Sequence, residues 1–320
     1  MHWRDVDRRL EPGVWDKLLI SIPKDHKAGF AVSVCPPDRL RVSAGDEPIY
    51  WVRIEDGYYG YEFLRKEGAS SWSIIPPIPF HVVDEIADGD PSSRTQRWSK
   101  QYASWLWAST RSPLSEGDWA LGPHMRWHEH NVLTMREIEG IAAHKTRGYI
   151  DWDHLVHPLP LREMSPADSG RVKAWRKLAR RGELPPVLLY WISGLVAYVV
   201  LDGHDRLLAA QLEQVPAPFL CLDRVTQLQQ DAGRQALILD SVEKALDHAS
   251  RTKIDEAHES RKFTAEKANR ILLDAFTPLL AEQPSIAASN LVSPTLWQTE
   301  VLAEAARQGV DVTEMMASVS

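Results

Sequence analysis

The stretch Val199-Val200-Leu201-Asp202-Gly203-His204-Asp205-Arg206-Leu207-Leu208-Ala209-Ala210 constrains this chain more than any other. An apolar run stops at Asp202-Gly203, charged residues follow, and a helical apolar period begins at once. Such a pattern requires a strand that turns directly into a helix. The turn presents free backbone N–H groups and the positive end of a helix dipole. Gly203 permits a left-handed backbone or a close approach. His204 and Arg206 add donors that suit phosphate, so the segment reads as an anion site at a helix start. On spacing alone it also reads as a tight structural turn capped by Asp202, with Arg206 in a salt bridge.

The remaining elements follow from periodicity and punctuation. Residues 1 to about 90 read as β-rich, with strands at Ile49–Ile54 and Tyr58–Leu64 joined across Glu55-Asp56-Gly57. Trp98, Tyr102, Trp105 and Leu106 share a helix face, and Ser109 to Gly122 reads as loop. Met135 to Ala143 is a short helix. Ser165-Pro166-Ala167-Asp168 predicts a helix start, with Ser165 as cap, a run to Arg181 and a stop at Gly182. Its buried stripe is Val172, Trp175, Leu178 and Ala179. Helical patterns then cover Gln227–His248 and Thr264–Leu280, and a last helix runs between Ser293-Pro294 and Gly309. The expected organisation is a β-rich, Trp-rich region at 1–145, an α/β module at 146–223 and a helical region at 224–320.

Composition narrows the function classes. A net charge of -7 argues against a whole-surface nucleic-acid binder, and residues 223–320 carry ten basic against fifteen acidic side chains. Two cysteines, Cys35 and Cys221, in apolar strand-like contexts point to a reducing compartment. With no leader-like start and no apolar run of about 20 residues, the expectation is a soluble cytoplasmic protein. Most of the thirteen tryptophans precede residue 130. They serve a core or a protein-binding surface.

The central module resembles the ParB/sulfiredoxin-like family. The residues that carry the resemblance are Leu184-Pro185-Pro186-Val187-Leu188-Leu189, Ser193-Gly194, Tyr198 through Arg206, and Pro216 to Leu222, within about residues 150–223. The resemblance implies a mixed α/β fold in which the turn contacts nucleotide phosphates. Relatives include centromere-binding CTPases, ATP-using sulfiredoxins and an ADP-dependent serine kinase. His204 stands where a sulfiredoxin needs cysteine. The turn is not the G-E-R-R type of the centromere-binding proteins, and lies nearest the D-G-H-H-R type of the kinase. The resemblance makes Glu163 the candidate upstream carboxylate.

The expected chemistry is phosphoryl transfer or nucleotide hydrolysis, with Asp202, His204 and Glu163 as candidate catalytic residues. Gly203, His204, Asp205 and Arg206 would hold the phosphates of ATP, ADP or CTP. Asp202 or Asp205 would hold Mg²⁺, and His204 would donate to phosphate or move a proton. One rival is a non-enzymatic protein-interaction protein that binds its partner through the Trp-rich region. Another is a nucleic-acid-binding or nuclease-like protein that uses Arg171, Lys173, Arg176, Lys177 and Arg180, beside Arg181, on one helix; the charge balance ranks it last. A third cluster, His124-Met125-Arg126-Trp127-His128-Glu129-His130, holds zinc-type ligands but no H-E-x-x-H helix. P-loop, G-x-G-x-x-G and G-x-S-x-G patterns do not occur.

Overall fold

Two sheets carry the architecture. The structure is a computed structural model that describes residues 1–8, 11–55, 60–68, 73–126, 128, 130–152, 157–227, 232–251, 263–276, 280–282 and 291–317. In chain order the first part contains β1 (His2–Arg8), β2 (Glu11–Ile22), β3 (Phe30–Cys35), β4 (Arg39–Ala44), β5 (Glu47–Ile54) and β6 (Gly60–Arg65). There follow α1 (Phe80–Asp88), α2 (Arg94–Ala108), β7 (Gly117–Gly122), β8 (Val132–Leu133), α3 (Met135–Ala142), β9 (Arg147–Asp151) and β10 (Leu159–Pro160). Next come α4 (Gly170–Arg181), β11 (Val187–Ile192), β12 (Ala197–Asp202), α5 (His204–Glu213) and β13 (Ala217–Gln227). The last elements are α6 (Ala232–Arg251), α7 (Ala265–Phe276), β14 (Leu280–Glu282), α8 (Pro294–Gln308) and α9 (Thr313–Met316). The fold is mixed α/β.

The larger sheet has the order β1-β2-β7-β13-β11-β12-β10, with β8 and β14 also paired to β13. β11 and β12 form an antiparallel hairpin, while β13 runs parallel to β11 and β10 parallel to β12. Every residue of β11 and β12 is buried. That is why both read as continuous apolar runs rather than alternating ones. The smaller sheet is a meander, β3-β4-β5-β6, closed by β9. One apolar core joins the two sheets, from Leu18 and Ile20 through Tyr50 and Phe63 to Leu189 and Val200.

The chain crosses the expected boundaries. β7 pairs β2 on one side and β13 on the other, and β9 pairs β6, so the sheets pass through residue 145. α8 packs on the smaller sheet, where Trp297 and Val301 join Cys35, Trp51 and Leu64. Trp297 Nε1 donates to Leu40 O at 2.9 Å, and Glu300 receives both Arg41 and Trp51.

Three local expectations need correction, the first at the ends of the late helical patterns, where Gln227 belongs to β13 and Leu280 to β14 and the helices are α6 and α7. Ser109 to Gly122 is not all loop, because Gly117–Gly122 is β7, in the interior of the larger sheet. The glycines at both ends hide a short strand whose Trp119 and Leu121 are fully packed. The helix expected from Ser165 instead starts at Gly170, with Ser169 as cap. Its end at Gly182, in a left-handed conformation, and its buried stripe are as expected. Of the hairpin turn, Asp56 and Gly57 lie outside the described residues, though β5 and β6 pair antiparallel as the pattern requires. α8 has the predicted Ser293 cap and Gly309 stop.

Candidate functional site

The turn after β12 is built as its sequence demands. Gly203 takes φ 107° and opens α5. A Cβ there would lie 2.9 Å from Arg206 Nη2 and 3.1 Å from Val187 Cα. The backbone angle and the crowding both select glycine.

The side chains of the turn point into the protein. Arg206 is 1% exposed, and its Nη2 donates to Asp202 Oδ2 at 2.6 Å, Pro186 O at 3.0 Å and Tyr102 Oη at 3.1 Å. Its guanidinium also lies over the Trp175 ring at 5.7 Å. Burial by itself lowers the pKa of this group; Tyr102 and Asp202 outweigh it and hold Arg206 above its ordinary value. Arg206 is thus a structural clamp joining β12, α2 and the β11 entry, and does not sit where a phosphate could reach it.

Asp205 is equally committed. Its carboxylate accepts from Ser165 N at 2.9 Å and Ser165 Oγ at 3.1 Å, with Arg171 Nε at 3.3 Å and Arg162 Nη1 at 3.9 Å. This explains the displaced start of α4, since Ser165 ties the preceding segment to α5 instead of capping a helix. Asp202 Oδ2 is held by Arg206, and both Asp205 oxygens are occupied by Ser165 and the arginines.

His204 is fully buried. Burial pushes its pKa well below the usual histidine range, and Arg162, Arg65 and Arg206 push the same way. Its Nε2 accepts from Arg162 N at 3.4 Å, while Nδ1 has no hydrogen-bond partner. The buried ring favours its neutral form and is not among the residues that line the neighbouring cleft.

A cleft opens beside these residues, about 650 Å³ in volume. One wall is the segment Pro160–Met164, another the flank of α5 at Leu208 and Gln211, and the third the connection from α3 to β9 through His144 and Lys145. Arg65, at the end of β6, reaches into it. Of the residues expected from sequence, Glu163 lines this cleft and is exposed.

Both signs of charge line the cleft, with Glu139 and Glu163 exposed on it and Arg65 and Arg162 buried against it. Arg65 is 4% exposed; its Nη1 donates to Pro160 O at 3.2 Å, its Nε has no partner, and among the described residues no carboxylate pairs with it within 4.0 Å. Burial lowers its pKa, against the pull of Tyr50 and Glu163. Arg162 is buried too, and its Nη1 donates to Glu163 O at 3.1 Å. His144 stacks on Phe63 at 4.7 Å, and its buried Nε2 has no partner. Burial, then Arg65 and His157, lower its pKa to about 3. Sequence reasoning missed Arg65, His144 and Arg162 because no local motif marks them. Only Arg162, next to Glu163, lay within reach of the motif.

The other expected clusters have separate fates. On α4, Arg176 and Arg180 both pair with Glu213, at 2.5 and 2.9 Å, Arg181 pairs with Glu183, and Arg171 with Asp205. Lys173 and Lys177 are exposed. His124 turns away to Asp16 at 2.8 Å and His128 pairs with Glu137 at 2.7 Å, while the His128 and His130 rings stay adjacent at 5.9 Å; Trp127 and Glu129 lie outside the described residues. Among the described residues no three His, Cys, Asp or Glu side chains are grouped to hold a metal. Most described tryptophans are buried or half-buried, and Trp3 is the exposed one among them. No helix among the described residues is long and apolar enough to cross a membrane.

Comparison with known proteins returned no matching protein-family model, no matching curated protein and no matching solved structure.

Proposed function

We propose that the chain is a nucleotide-binding protein of the ParB/sulfiredoxin-like kind, and that the 650 Å³ cleft, not the Asp202–Arg206 turn itself, takes the phosphates. The observation that carries this reading is Arg65. A buried guanidinium without a carboxylate is costly unless an anion compensates it. Arg65 sits at the floor of an open cleft, with buried Arg162 on the same cleft and exposed Lys145 at the rim. Two guanidiniums and an ammonium suit the several oxygens of a di- or triphosphate. The strand–glycine–helix turn, the β11–β12 hairpin and the parallel β11–β13 pair support the family reading.

In this reading the turn supports the site from behind. Asp205 holds Ser165 and the two arginines Arg162 and Arg171, and Arg206 fixes the base of α5. Glu163 and Glu139 are the exposed carboxylates on the cleft, and Glu163, on the segment beside Arg162, is the one we assign to an acceptor hydroxyl, which makes phosphotransfer the reaction class to examine.

Titration calorimetry with pyrophosphate, ADP, ATP and CTP, with and without Mg²⁺, tests the reading. Binding should weaken about 10- to 100-fold in Arg162→Gln and less in Lys145→Ala, as for a lost charged hydrogen bond worth about 1.5–3 kcal/mol. Folded Arg206→Met should bind like the wild type. No binding by any of these phosphates at millimolar concentration overturns the proposal.

A further inference from the structure

A second pocket, about 290 Å³, lies at the other end of the β11–β12 hairpin, away from the Asp202 turn. Part of the histidine cluster that the cleft leaves unused forms one wall, through Met125, Arg126 and His128. The others come from Trp191 and Val196 of the hairpin, Pro158, and Glu137 in the first turn of α3.

The charged groups here balance each other. His128 Nε2 meets Glu137 Oε1 at 2.7 Å and its Nδ1 meets His130 O at 2.6 Å, so the ring keeps no nitrogen for use as a base. Glu137 Oε2 accepts from Thr134 N and Oγ1, both at 2.7 Å. Arg126 lies 3.6 Å from Asp223 and stacks over the Trp191 ring at 4.6 Å. These pairings favour an uncharged occupant over an ion. What remains is a slot with an indole, a flat guanidinium, a thioether, the rings of His157 and Tyr198, and the aliphatic Pro158, Val196 and Ala197, which is a surface a planar ring prefers.

Val196 is the second, independent observation. It sits in the hairpin turn at φ 50°, ψ 36°, a left-handed conformation that is strained for a β-branched residue. Val196 is 42% exposed and lines the pocket. Glycine or asparagine would make this turn without strain and without showing apolar surface. Backbone strain of this kind collects at ligand clamps, where the side chain serves the ligand and not the fold.

We propose that this pocket binds a small uncharged aromatic molecule of one or two fused rings, with Trp191 as its platform and Val196 as its clamp. The size agrees: a cavity of about 150 Å³ accepts benzene, so 290 Å³ accommodates a bicyclic ring. The test uses the full chain with indole, quinoline and adenine as probes, followed by calorimetry and saturation-transfer NMR. Saturable binding of at least one probe at about 1 mM or tighter is expected. Val196→Gly should raise the melting temperature of the free protein yet weaken that binding at least fivefold, and Met125→Ala should weaken it without raising the melting temperature. Lys145→Ala, on the separate cleft, should leave it unchanged. Failure of all three rings to bind overturns the proposal. So does a Val196→Gly protein that binds as well as the wild type.

Discussion

Replacing Arg206 with methionine separates a structural clamp from a phosphate ligand. Methionine keeps an apolar stem against Trp175 and deletes the guanidinium. Three acceptors within 3.1 Å of Nη2 then lose their donor: Asp202 Oδ2, Pro186 O and Tyr102 Oη. Tyr102 Oη still donates to Pro186 O at 2.5 Å, so that carbonyl stays satisfied. Asp202 does not fare so well, because its side chain is 9% exposed and loses its cation. Removing one member of a buried pair costs about 3–5 kcal/mol. With a urea dependence of about 3 kcal/mol per molar, the unfolding midpoint should fall by about 1–1.7 M. Unfolding is followed at 25 °C by tryptophan fluorescence and circular dichroism together. The double variant Asp202→Asn/Arg206→Met should recover part of the loss, since it leaves no uncompensated charge. A midpoint within about 0.3 M of the wild type, a loss of about 1 kcal/mol at that slope, combined with lost pyrophosphate binding, would refute this reasoning and return Arg206 to the ligand site.

Gly203→Ala should destabilise by about 1–3 kcal/mol, seen as a lower urea midpoint, because φ 107° is strained for alanine and its Cβ would crowd Val187 and Arg206. The His204 and His144 ring resonances should not titrate between pH 5 and 8, since burial holds both rings neutral; their contribution to stability is present above the ordinary histidine pKa and is lost as pH falls below it. Glu62 behaves in the opposite sense. Burial and the neighbouring Glu314 push it up to about 7, so its stabilising protonated form is fully present below the ordinary carboxyl range and is lost as pH rises through 7. Raising the pH from 6 to 8.5 should therefore loosen α9, which Arg53 holds through Glu314 O at 2.8 Å and Arg39 through Ala317 O at 3.3 Å. Limited proteolysis at the C-terminus reports this, and Glu62→Gln should abolish the pH dependence.

What the sequence determined by itself was local. A strand had to stop at Asp202 and a helix had to begin after Gly203, because only that arrangement reconciles an apolar run, a glycine and a 3.6-residue period. The stop of α4 at Gly182 and both ends of α8 were legible for the same reason, as caps and left-handed glycines act within a few residues. Tertiary structure decided what the charged residues of the turn do. Arg206 reads as a phosphate donor until Tyr102, 104 positions earlier, and the Pro186 carbonyl close around it. Ser165 reads as a cap until Asp205, 40 positions later, takes its hydroxyl and amide. Arg65 carries no motif, and reaches the cleft only because β9 pairs β6 and brings His144 and Lys145 alongside. A cap needs only its own neighbours, whereas a buried charge takes its meaning from whichever distant groups share its low-dielectric surroundings, and no spacing along the chain records which those are.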